Sequence, residues 1–309
     1  MIRSCLHTHT TFCDGADDVE TMCAAAAARG LAAIGFSSHA PIAKKTGIKT
    51  SWHLPDEKLD EYLETVLAAK KRWRGRLEVF LGLEVDYIQG LCGPADGDYQ
   101  SLPLDYIIGS VHFAAPPERG FTVDAPEEEF LAGFRDIFQG DGTALYNAYY
   151  DAYRGMIEEG GFDIAGHLDL VKKNNGLYRF FSPEDPAYGK RLLETADCLA
   201  AASGRPARET TGNGAFPVVV EVNTGGMNRG RVSEPYPSRA VLKLLRERNV
   251  PLTVTADAHS AEHLGGHYEE ARNAMMDAGY SSALRLAEGK DGKALWLEEP
   301  LTARDRGES

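Results

Sequence analysis

This 309-residue sequence has few cysteines and no long apolar run, and each shortage excludes a class of protein. The five cysteines are an odd number without a C-x-x-C pair, which indicates a reducing compartment rather than a disulfide framework. No segment approaches the ~20 apolar residues that cross a membrane. The amino-terminal segment is polar and ionisable where a signal peptide has its apolar run. We therefore predict a soluble, cytoplasmic protein with no membrane partner.

Basic charge is also scarce. The chain has 33 Lys and Arg against 46 Asp and Glu, a formal net charge of −13, and its basic residues form no stripe. Nucleic-acid-binding surfaces need such a stripe, so we predict no nucleic-acid partner. An acidic chain can still accept an anionic substrate if bound metal ions dominate the local field.

What the sequence does contain is an alternation of strand and helix patterns. After a first strand at the amino terminus, strand patterns cover 31–37, 77–85, 105–111, 162–165, 218–222, 252–256 and 294–297. Helical patterns cover 17–29, 55–73, 126–138, 143–157, 183–202, 237–249 and 267–278. With 43% hydrophobic residues the chain can bury one sizeable core. The alternation predicts an α/β fold, either a barrel or a doubly wound sheet.

Imidazoles and carboxylates follow the predicted strands. His7 and His9 are two residues apart, so in an extended strand they project from one face, and Asp14 follows on a turn that ends in glycine. Asp257 and His259 repeat this spacing. The full set is His7, His9, Asp14, His39, Glu84, His112, His167, Glu221, Asp257 and His259. Because α/β barrels place their chemistry at the carboxyl ends of strands, this set predicts a multinuclear metal site.

Other residues near these strands receive no ligand role. His53 lies in the polar segment 44–54, which we expect to form a loop over the site, and we expect its side chain to face solvent. His263 and His267 lie outside the pattern. Cys13 is expected to fill space rather than to bind metal. The segment 203–217, rich in Gly, Thr, Arg and Pro, is expected to be a surface loop.

Eight motifs occur in order from residue 7 to about residue 265: HTHTTFCDG, GFSSHAP, GLEVDY, IIGSVHF, GHLDLVKK, EVNTGGMNRG, YPS and TADAHSAEHLG. Together they resemble the polymerase and histidinol phosphatase (PHP) superfamily, most closely its monofunctional histidinol-phosphatase branch. The resemblance implies a distorted (β/α)7 barrel with its metal site at the C-terminal ends of the strands. It implies a single domain over 1–300, with a helical insertion over 113–160 and a tail over 301–309.

The resemblance further implies three divalent metal ions, which could be zinc, manganese or iron. The first ion is then surrounded by His7, His9, Glu84 and Asp257. The second is surrounded by Asp14, His39 and His167. Glu84 also bridges to the third, which is held by His112 and His259. Some members have histidine where Asp14 stands, and a carboxylate there hardens the site and favours manganese or iron.

A metal cluster of this kind suits the hydrolysis of a phosphate monoester. The dianion repels hydroxide, and its uncatalysed hydrolysis needs up to ~10²¹-fold acceleration. Metal ions lower the pKa of bound water and polarise the phosphoryl oxygens, so a metal-bridging hydroxide can attack phosphorus in line with the leaving alkoxide. The resemblance implies that the substrate is L-histidinol phosphate, an intermediate of histidine biosynthesis, and that Glu84, Asp257 and His259 are catalytic.

Cationic side chains near the site are candidates for holding the phosphate. The guanidinium fork binds phosphate bidentately, and we predict this role for Arg154, before the His167 strand, and for Arg229, after the strand of Glu221. Lys172 is a weaker candidate. Glu221 either binds the substrate's ammonium group or supports a metal ligand.

Three alternatives stay open from the sequence. The first is a PHP-type phosphoesterase that acts on another phosphomonoester or on a phosphodiester. The second is a domain that binds metal or a protein partner without catalysis, which the intact ligand set disfavours. The third is an exonuclease, which an acidic chain without a basic groove disfavours. The sequence predicts no oligomeric state.

Overall fold

The computed structural model of this protein describes residues 2–115, 119, 121–178, 180–204, 217–290 and 292–301. Of the expected surface loop 203–217, residues 205–216 lie outside this description, as do residues 302–309 of the expected tail.

Seven parallel strands form the centre of the fold, and their order in the sheet is their order in the sequence. They are β1 (Ser4–Cys5), β2 (Ala33–Phe36), β3 (Glu78–Asp86), β4 (Tyr106–Ser110), β5 (Ile164–Ala165), β6 (Val219–Asn223) and β7 (Leu252–Thr255). Backbone hydrogen bonds join the two ends of this sheet. The His9 N–H donates to Ala258 O at 2.9 Å, and the Ala258 N–H donates to His7 O at 3.1 Å. The predicted seven-stranded barrel is confirmed, and it is nearly closed.

Helices connect the strands and cover the outside of the barrel. They are α1 (Val19–Ala28), α2 (Leu59–Trp73), α3 (Gly97–Gln100), α4 (Glu127–Phe138), α5 (Gly142–Glu159), α6 (Asn175–Tyr178), α7 (Pro186–Ser203), α8 (Gly225–Asn228), α9 (Arg239–Glu247) and α10 (Tyr268–Asp277). Helix α1 begins later than predicted because Asp18 caps it, accepting the Thr21 N–H at 2.8 Å. Asp17 instead accepts the Ala261 N–H at 2.7 Å, which ties α1 to the segment after β7.

The inward face of β3 changes from apolar to acidic along the strand. Phe80, Gly82, Glu84 and Asp86 alternate with apolar residues that pack against the outer helices. A Cβ atom at Gly82 would lie 2.5 Å from the Tyr106 ring, so glycine is required for that ring to fill the middle of the barrel. The two carboxylates therefore stand above an aromatic layer, at the carboxyl end.

A two-stranded antiparallel hairpin, β8 (Ser282–Glu288) and β9 (Ala294–Pro300), packs against the amino end of the barrel. Its Leu286 and Ala294 join the apolar interior of the barrel, in the same cluster as Phe80. The sequence predicts only the second strand, at 294–297. The first strand was missed because its Ala, Leu, Arg and Glu residues favour helix as readily as strand.

Between β4 and β5 the chain adds helices α4 and α5. Tyr149 and Tyr153 of α5 are fully buried. The Tyr153 hydroxyl donates to Gly166 O at 2.7 Å, and the Tyr149 hydroxyl donates to His167 O at 3.2 Å. This helical segment therefore fixes the turn that carries His167.

Within the ranges that the structure describes, none of the helices combines the length and the apolar character needed to cross a membrane.

Candidate metal centre

All nine predicted ligands lie together at the carboxyl end of the barrel. We call them the His/carboxylate cluster: His7, His9, Asp14, His39, Glu84, His112, His167, Asp257 and His259. Each follows a strand or ends one, so the convergence results from the parallel strand order. His7 and His9 flank Thr8, which bridges to Ala258 and so brings the two ends of the barrel together.

Glu84 is the centre of the cluster, and it is 1% exposed. Its Oε2 atom lies 3.1 Å from His7 Nε2 and 3.0 Å from His39 Nδ1. Its Oε1 atom lies 3.0 Å from His167 Nε2 and 3.8 Å from His112 Nε2. The two oxygens of one carboxylate thus face different imidazoles, which is the arrangement of a bridging ligand.

Asp257 joins the cluster from the end of β7. Its Oδ1 atom lies 3.2 Å from His9 Nε2, and its Oδ2 atom accepts from Arg229 Nη2 at 3.1 Å. A Cβ atom at Gly225 would lie 2.7 Å from the Asp257 side chain, so glycine is required at that position. Arg229 also lies 3.1 Å from His259 Nδ1, which places one guanidinium beside two candidate ligands.

The cluster divides into groups whose ligand atoms lie within 4.8 Å of one another. One holds His9, Asp14, His39 and His259, a second holds His7, His9 and Glu84, and a third holds Glu84, His112 and His167. A fourth group joins His39 and His112 to Asp86, which lies outside the predicted set. The implied partition is therefore wrong for two histidines. His167 lies with Glu84 and His112 rather than with Asp14, and His259 lies with Asp14 and His39 rather than with His112.

Several buried polar atoms of the cluster have no hydrogen-bond partner within the described part of the chain. They are His7 Nε2, His9 Nε2, His39 Nδ1, Glu84 Oε2 and His167 Nδ1. The first four lie within 4 Å of another ligand atom, so these atoms point at shared space rather than at the protein matrix. Buried polar groups are normally hydrogen-bonded, and imidazole and carboxylate together suit Zn²⁺, Mn²⁺ and Fe²⁺. The donor set therefore fits divalent metal ions.

Burial and charge shift pKa values within the cluster. Burial alone would raise the pKa of Glu84, but the imidazoles of His7 and His39 hold it well below its ordinary value. Burial alone would lower the pKa of His7, but Glu221 and Glu84 raise it well above the ordinary value. Burial and the neighbouring imidazoles lower the pKa of His9 to about 3. Glu84 is thus ionised and His9 neutral, which are the forms that bind metal, whereas His7 would release a proton when an ion binds.

Glu221 supports two ligands rather than lining the cavity. Its Oε2 atom lies 2.9 Å from His7 Nδ1, and its Oε1 atom accepts the backbone N–H of His167 at 2.7 Å. Thr255 and Asn223 also donate to this carboxylate, at 2.7 and 2.9 Å. Of the two roles that the sequence allowed, the structure therefore supports that of orienting metal ligands.

Sequence reasoning missed Asp86 and placed His53 wrongly. Asp86 Oδ1 lies 2.8 Å from His112 Nδ1, and Asp86 Oδ2 lies 2.8 Å from His53 Nε2. His53 was expected to face solvent but is 8% exposed. Asp86 could have been found, because it stands two residues after Glu84 on one strand and must share its face. His53 lies in a loop, where no periodicity identifies it.

A cavity of about 640 Å³ opens above the cluster. One side is formed by Asp14, His39, His112, His167, Asp257 and His259 of the cluster. The opposite side is what we call the cavity wall: Lys49, Trp52, Phe113, Asp124, Glu129 and Lys173. The wall carries charges of both signs beside two aromatic rings, so the cavity can accept a ligand that is anionic at one end and cationic at the other.

Of the predicted phosphate-binding residues, the structure places only one at the cavity. Arg229 lines it, beside Asp257. The prediction for Arg154 is wrong, because this side chain lies on α5, where it pairs with Asp151 and, at 3.5 Å, with Glu194 on α7. Sequence proximity to the His167 strand was misleading, since α5 runs along the outside of the barrel.

Lys172, the weaker candidate, also lies away from the cavity. Its Nζ atom is 3.0 Å from Asp169 and donates to Pro235 O at 2.9 Å. The neighbouring Lys173, which the sequence did not single out, lines the cavity and donates to the backbone oxygen of Asp124 at 2.7 Å.

Comparison with known proteins gives concordant similarities. The PHP domain family matches residues 6–202 of this chain. The chain is 30% identical to "Probable histidinol-phosphatase" of Deinococcus radiodurans, over 88% of this chain and 92% of the relative. It is 28% identical to histidinol-phosphatase of Bacillus subtilis, over 85% of this chain and 96% of the relative.

A solved structure shows the same fold. Histidinol phosphate phosphatase from Lactococcus lactis, complexed with zinc, L-histidinol and phosphate, matches with a TM-score of 0.62 and 18% identity. The match covers 91% of this chain and 95% of that one.

Proposed function

Because this chain belongs to the PHP domain family, in its histidinol-phosphatase branch, we propose that its barrel is a metal-dependent phosphomonoesterase. It hydrolyses L-histidinol phosphate to L-histidinol and phosphate, a step in histidine biosynthesis. Relatives named as histidinol-phosphatases align over most of both chains, so the activity applies to the chain as a whole.

The observation that carries this proposal is the convergence on Glu84. One buried carboxylate lies within 4 Å of five imidazoles, and buried ligand atoms beside it have no hydrogen-bond partner within the described ranges. A purely structural network would satisfy these atoms internally, because an unsatisfied buried polar group destabilises a fold by roughly 1–3 kcal/mol. Their shared orientation supports divalent ions as the missing partners.

Three ions are proposed, and the observed groups suggest their ligands. His7, His9, Glu84 and Asp257 would hold one ion. Asp14, His39 and His259 would hold another. Glu84, His112 and His167 would hold the last. Zinc is favoured by the relative whose structure contains it, and the carboxylate of Asp14 also admits manganese or iron.

Bound ions supply Lewis acidity, which acidifies water and neutralises phosphate charge. In this proposal Glu84, Asp257 and His259 are the catalytic residues, because Glu84 would be shared by two ions and Asp257 and His259 line the cavity beside them. Arg229 lines the cavity with a guanidinium that is 30% exposed, so it can donate to a phosphoryl oxygen while it stays paired with Asp257. The ionised Asp257 keeps this guanidinium oriented.

The substrate is a small phosphate ester, and the two-signed cavity wall supports that assignment. L-Histidinol phosphate carries a dianionic phosphate at one end and an ammonium group and an imidazole at the other. We further propose a cytoplasmic location, because all five cysteines are unpaired, as in a reducing compartment.

The test is elemental analysis of the purified protein together with phosphate release from histidinol phosphate and from a panel of sugar and nucleotide phosphates. We expect bound zinc, manganese or iron and a clear preference for histidinol phosphate. Bound metal with a preference for another ester would favour the alternative of a different PHP-type phosphoesterase. A protein that binds no divalent ion would contradict the proposal.

A further inference from the structure

Two histidines share one carboxylate beneath the cavity. Asp86 Oδ1 lies 2.8 Å from His112 Nδ1, and Asp86 Oδ2 lies 2.8 Å from His53 Nε2. His53 Nδ1 in turn lies 2.5 Å from the Thr50 hydroxyl. The His53 and Asp86 side chains are 5% and 2% exposed, so water does not compete for these contacts.

The directions of these hydrogen bonds follow from the chemistry of the groups. An ionised carboxylate only accepts, so both ring nitrogens that face Asp86 carry protons. His112 therefore has a proton on Nδ1, so the nitrogen that it can offer to a metal ion is Nε2, which lies 3.8 Å from Glu84 Oε1. His53 donates from Nε2, and its Nδ1 can accept from the Thr50 hydroxyl. Every group in this series thus has one consistent role.

We infer that His53 is a positioning residue of the metal centre, which acts through Asp86 to fix the ring of His112. With His53 in place, both oxygens of Asp86 are occupied and the carboxylate has one orientation. Without this donor, one buried oxygen loses its partner and the carboxylate is free to turn away from His112. The Nε2 atom of His112 would then no longer be held toward Glu84 and His167.

Aromatic packing couples the same residue to the cavity wall. The Trp52 ring lies 3.8 Å from the His53 ring and 5.4 Å from that of His112, measured between centroids. Trp52 also meets His39 edge-on at 4.7 Å. A residue that only anchored this loop would affect the wall and the fit of the substrate. A positioning residue must also affect the metal ion that His112 holds.

Two substitutions separate these roles. The side-chain amide nitrogen of Gln reaches about as far as His Nε2, whereas that of Asn reaches only as far as Nδ1. His53→Gln therefore keeps the donor to Asp86, and His53→Asn removes it. The matched control is His267→Asn, because His267 pairs with Glu270 at 3.0 Å but is exposed and away from the cluster.

The measurement is a zinc titration of each metal-free protein against a chromophoric chelator. We expect His53→Asn to weaken the most weakly bound zinc ion about 10–100-fold, as losses of ligand-orienting partners do. His53→Gln and His267→Asn should stay within about threefold of the parent protein. At saturating zinc, His53→Asn should recover its kcat.

Two results would overturn the inference. One is a His53→Asn protein that binds zinc normally and shows only a raised KM, which would limit His53 to anchoring the loop. The other is an equal loss of zinc in both variants, which would show that donation to Asp86 is not the function of this residue. If His53→Asn does not fold, Thr50→Val removes only the hydroxyl that orients the His53 ring. Thr50→Val should weaken zinc binding about tenfold. Normal zinc binding in that variant would also contradict the inference.

The inference rests on the proposed ligand role of His112 but not on the proposed substrate. Zinc binding is measured without substrate, so the two failures differ. A parent protein that binds zinc but does not hydrolyse histidinol phosphate contradicts the proposed substrate alone.

Discussion

The two sides of the cavity are built in different ways. The His/carboxylate cluster consists of residues at or just after the ends of strands, nearly all buried and within hydrogen-bond distance of charged neighbours. The cavity wall consists of residues from the segment before α2, the segment between β4 and α4 and the first turn of α4, together with Lys173. Two of its charged members, Lys49 and Glu129, are exposed.

This difference indicates that the cluster and the wall have different roles. Residues on short strand ends are held by the sheet and cannot move independently, which suits a site that must keep several ligands within a fraction of an ångström. Residues on long connections can change without disturbing the barrel. We therefore expect the cluster to determine whether phosphate esters are hydrolysed, and the wall to determine which esters are hydrolysed.

Metal removal should have the largest effect and should act through the cluster. Chelation is expected to abolish phosphate release from every ester, and zinc or manganese should restore it. Ions present at ~1,000 times their Kd stabilise a fold by about 4 kcal/mol, so the Tm should fall clearly on chelation. Calorimetry with and without chelator measures this. An unchanged Tm and full activity would show that the cluster holds no ion.

Glu84→Gln should nearly eliminate activity on all esters. The substitution keeps the shape of the side chain but removes the negative charge. Two of the candidate metal groups contain this carboxylate, so both would lose it. We expect kcat to fall by about 10³-fold or more, at the upper end of single electrostatic groups. Glu78→Gln is the matched control, because Glu78 is on the same strand but contacts Arg285 of the hairpin. Equal activity in both variants would remove Glu84 from the site.

Arg229→Ala should have an intermediate effect. A hydrogen bond to a charged group contributes about 1.5–3 kcal/mol, so kcat/KM should fall roughly 10–150-fold for every phosphate ester. Arg154→Ala is the control, because its guanidinium pairs with Asp151 and Glu194 away from the cavity. Steady-state kinetics of the two variants decide the assignment. A larger loss for Arg154 would contradict the structural placement.

Asp124→Asn should have the smallest effect and should depend on the substrate. Burial opposes ionisation of Asp124, but Lys173 and His112 outweigh it and lower its pKa to about 2. The carboxylate is thus negative at neutral pH and available to the cationic end of histidinol phosphate. We expect kcat/KM to fall about tenfold, or ~1.4 kcal/mol, for this substrate.

The same variant should hardly change the hydrolysis of glycerol phosphate, which has no cationic group. Asp277→Asn, an exposed carboxylate on α10, controls for the loss of one charge. An equal loss on both substrates would show that Asp124 serves the cluster instead of selecting substrates.

The same division explains how much could be predicted from the sequence. The shared face of His7 and His9 was predicted from the alternation of side chains along an extended chain, and the structure brings both together with Asp257 and His259. Asp257 itself lies beyond β7 with a φ of 46°, so its position depends on a turn rather than on alternation. Strand ends are identifiable because a buried apolar run stops where the polar residues begin. Lys173 and Trp52 are not identifiable in this way, since their position depends on the path of a connection rather than on a periodic pattern.

The partition of ligands failed for a reason that the topology makes clear. His167 follows β5, which pairs with β4, and His112 follows β4, so the two imidazoles are neighbours. The backbone oxygen of His259 accepts the N–H of Ala16 at 2.7 Å, which places His259 against the turn that carries Asp14. Both placements need the sheet order and its closure, and neither is visible in a single strand.

The closure between the segment His7–His9 and Ala258 has a consequence for biosynthesis of the chain itself. Of the ligands proposed for one ion, His7 and His9 precede β2 whereas Asp257 follows β7, and contacts so distant in sequence form slowly. A nascent polypeptide that has not yet emerged beyond β7 lacks Asp257 and His259. The complete ligand set of this ion therefore exists only once the segment beyond β7 has been made, and a truncation before Asp257 removes Asp257 and His259 while most of the strands remain.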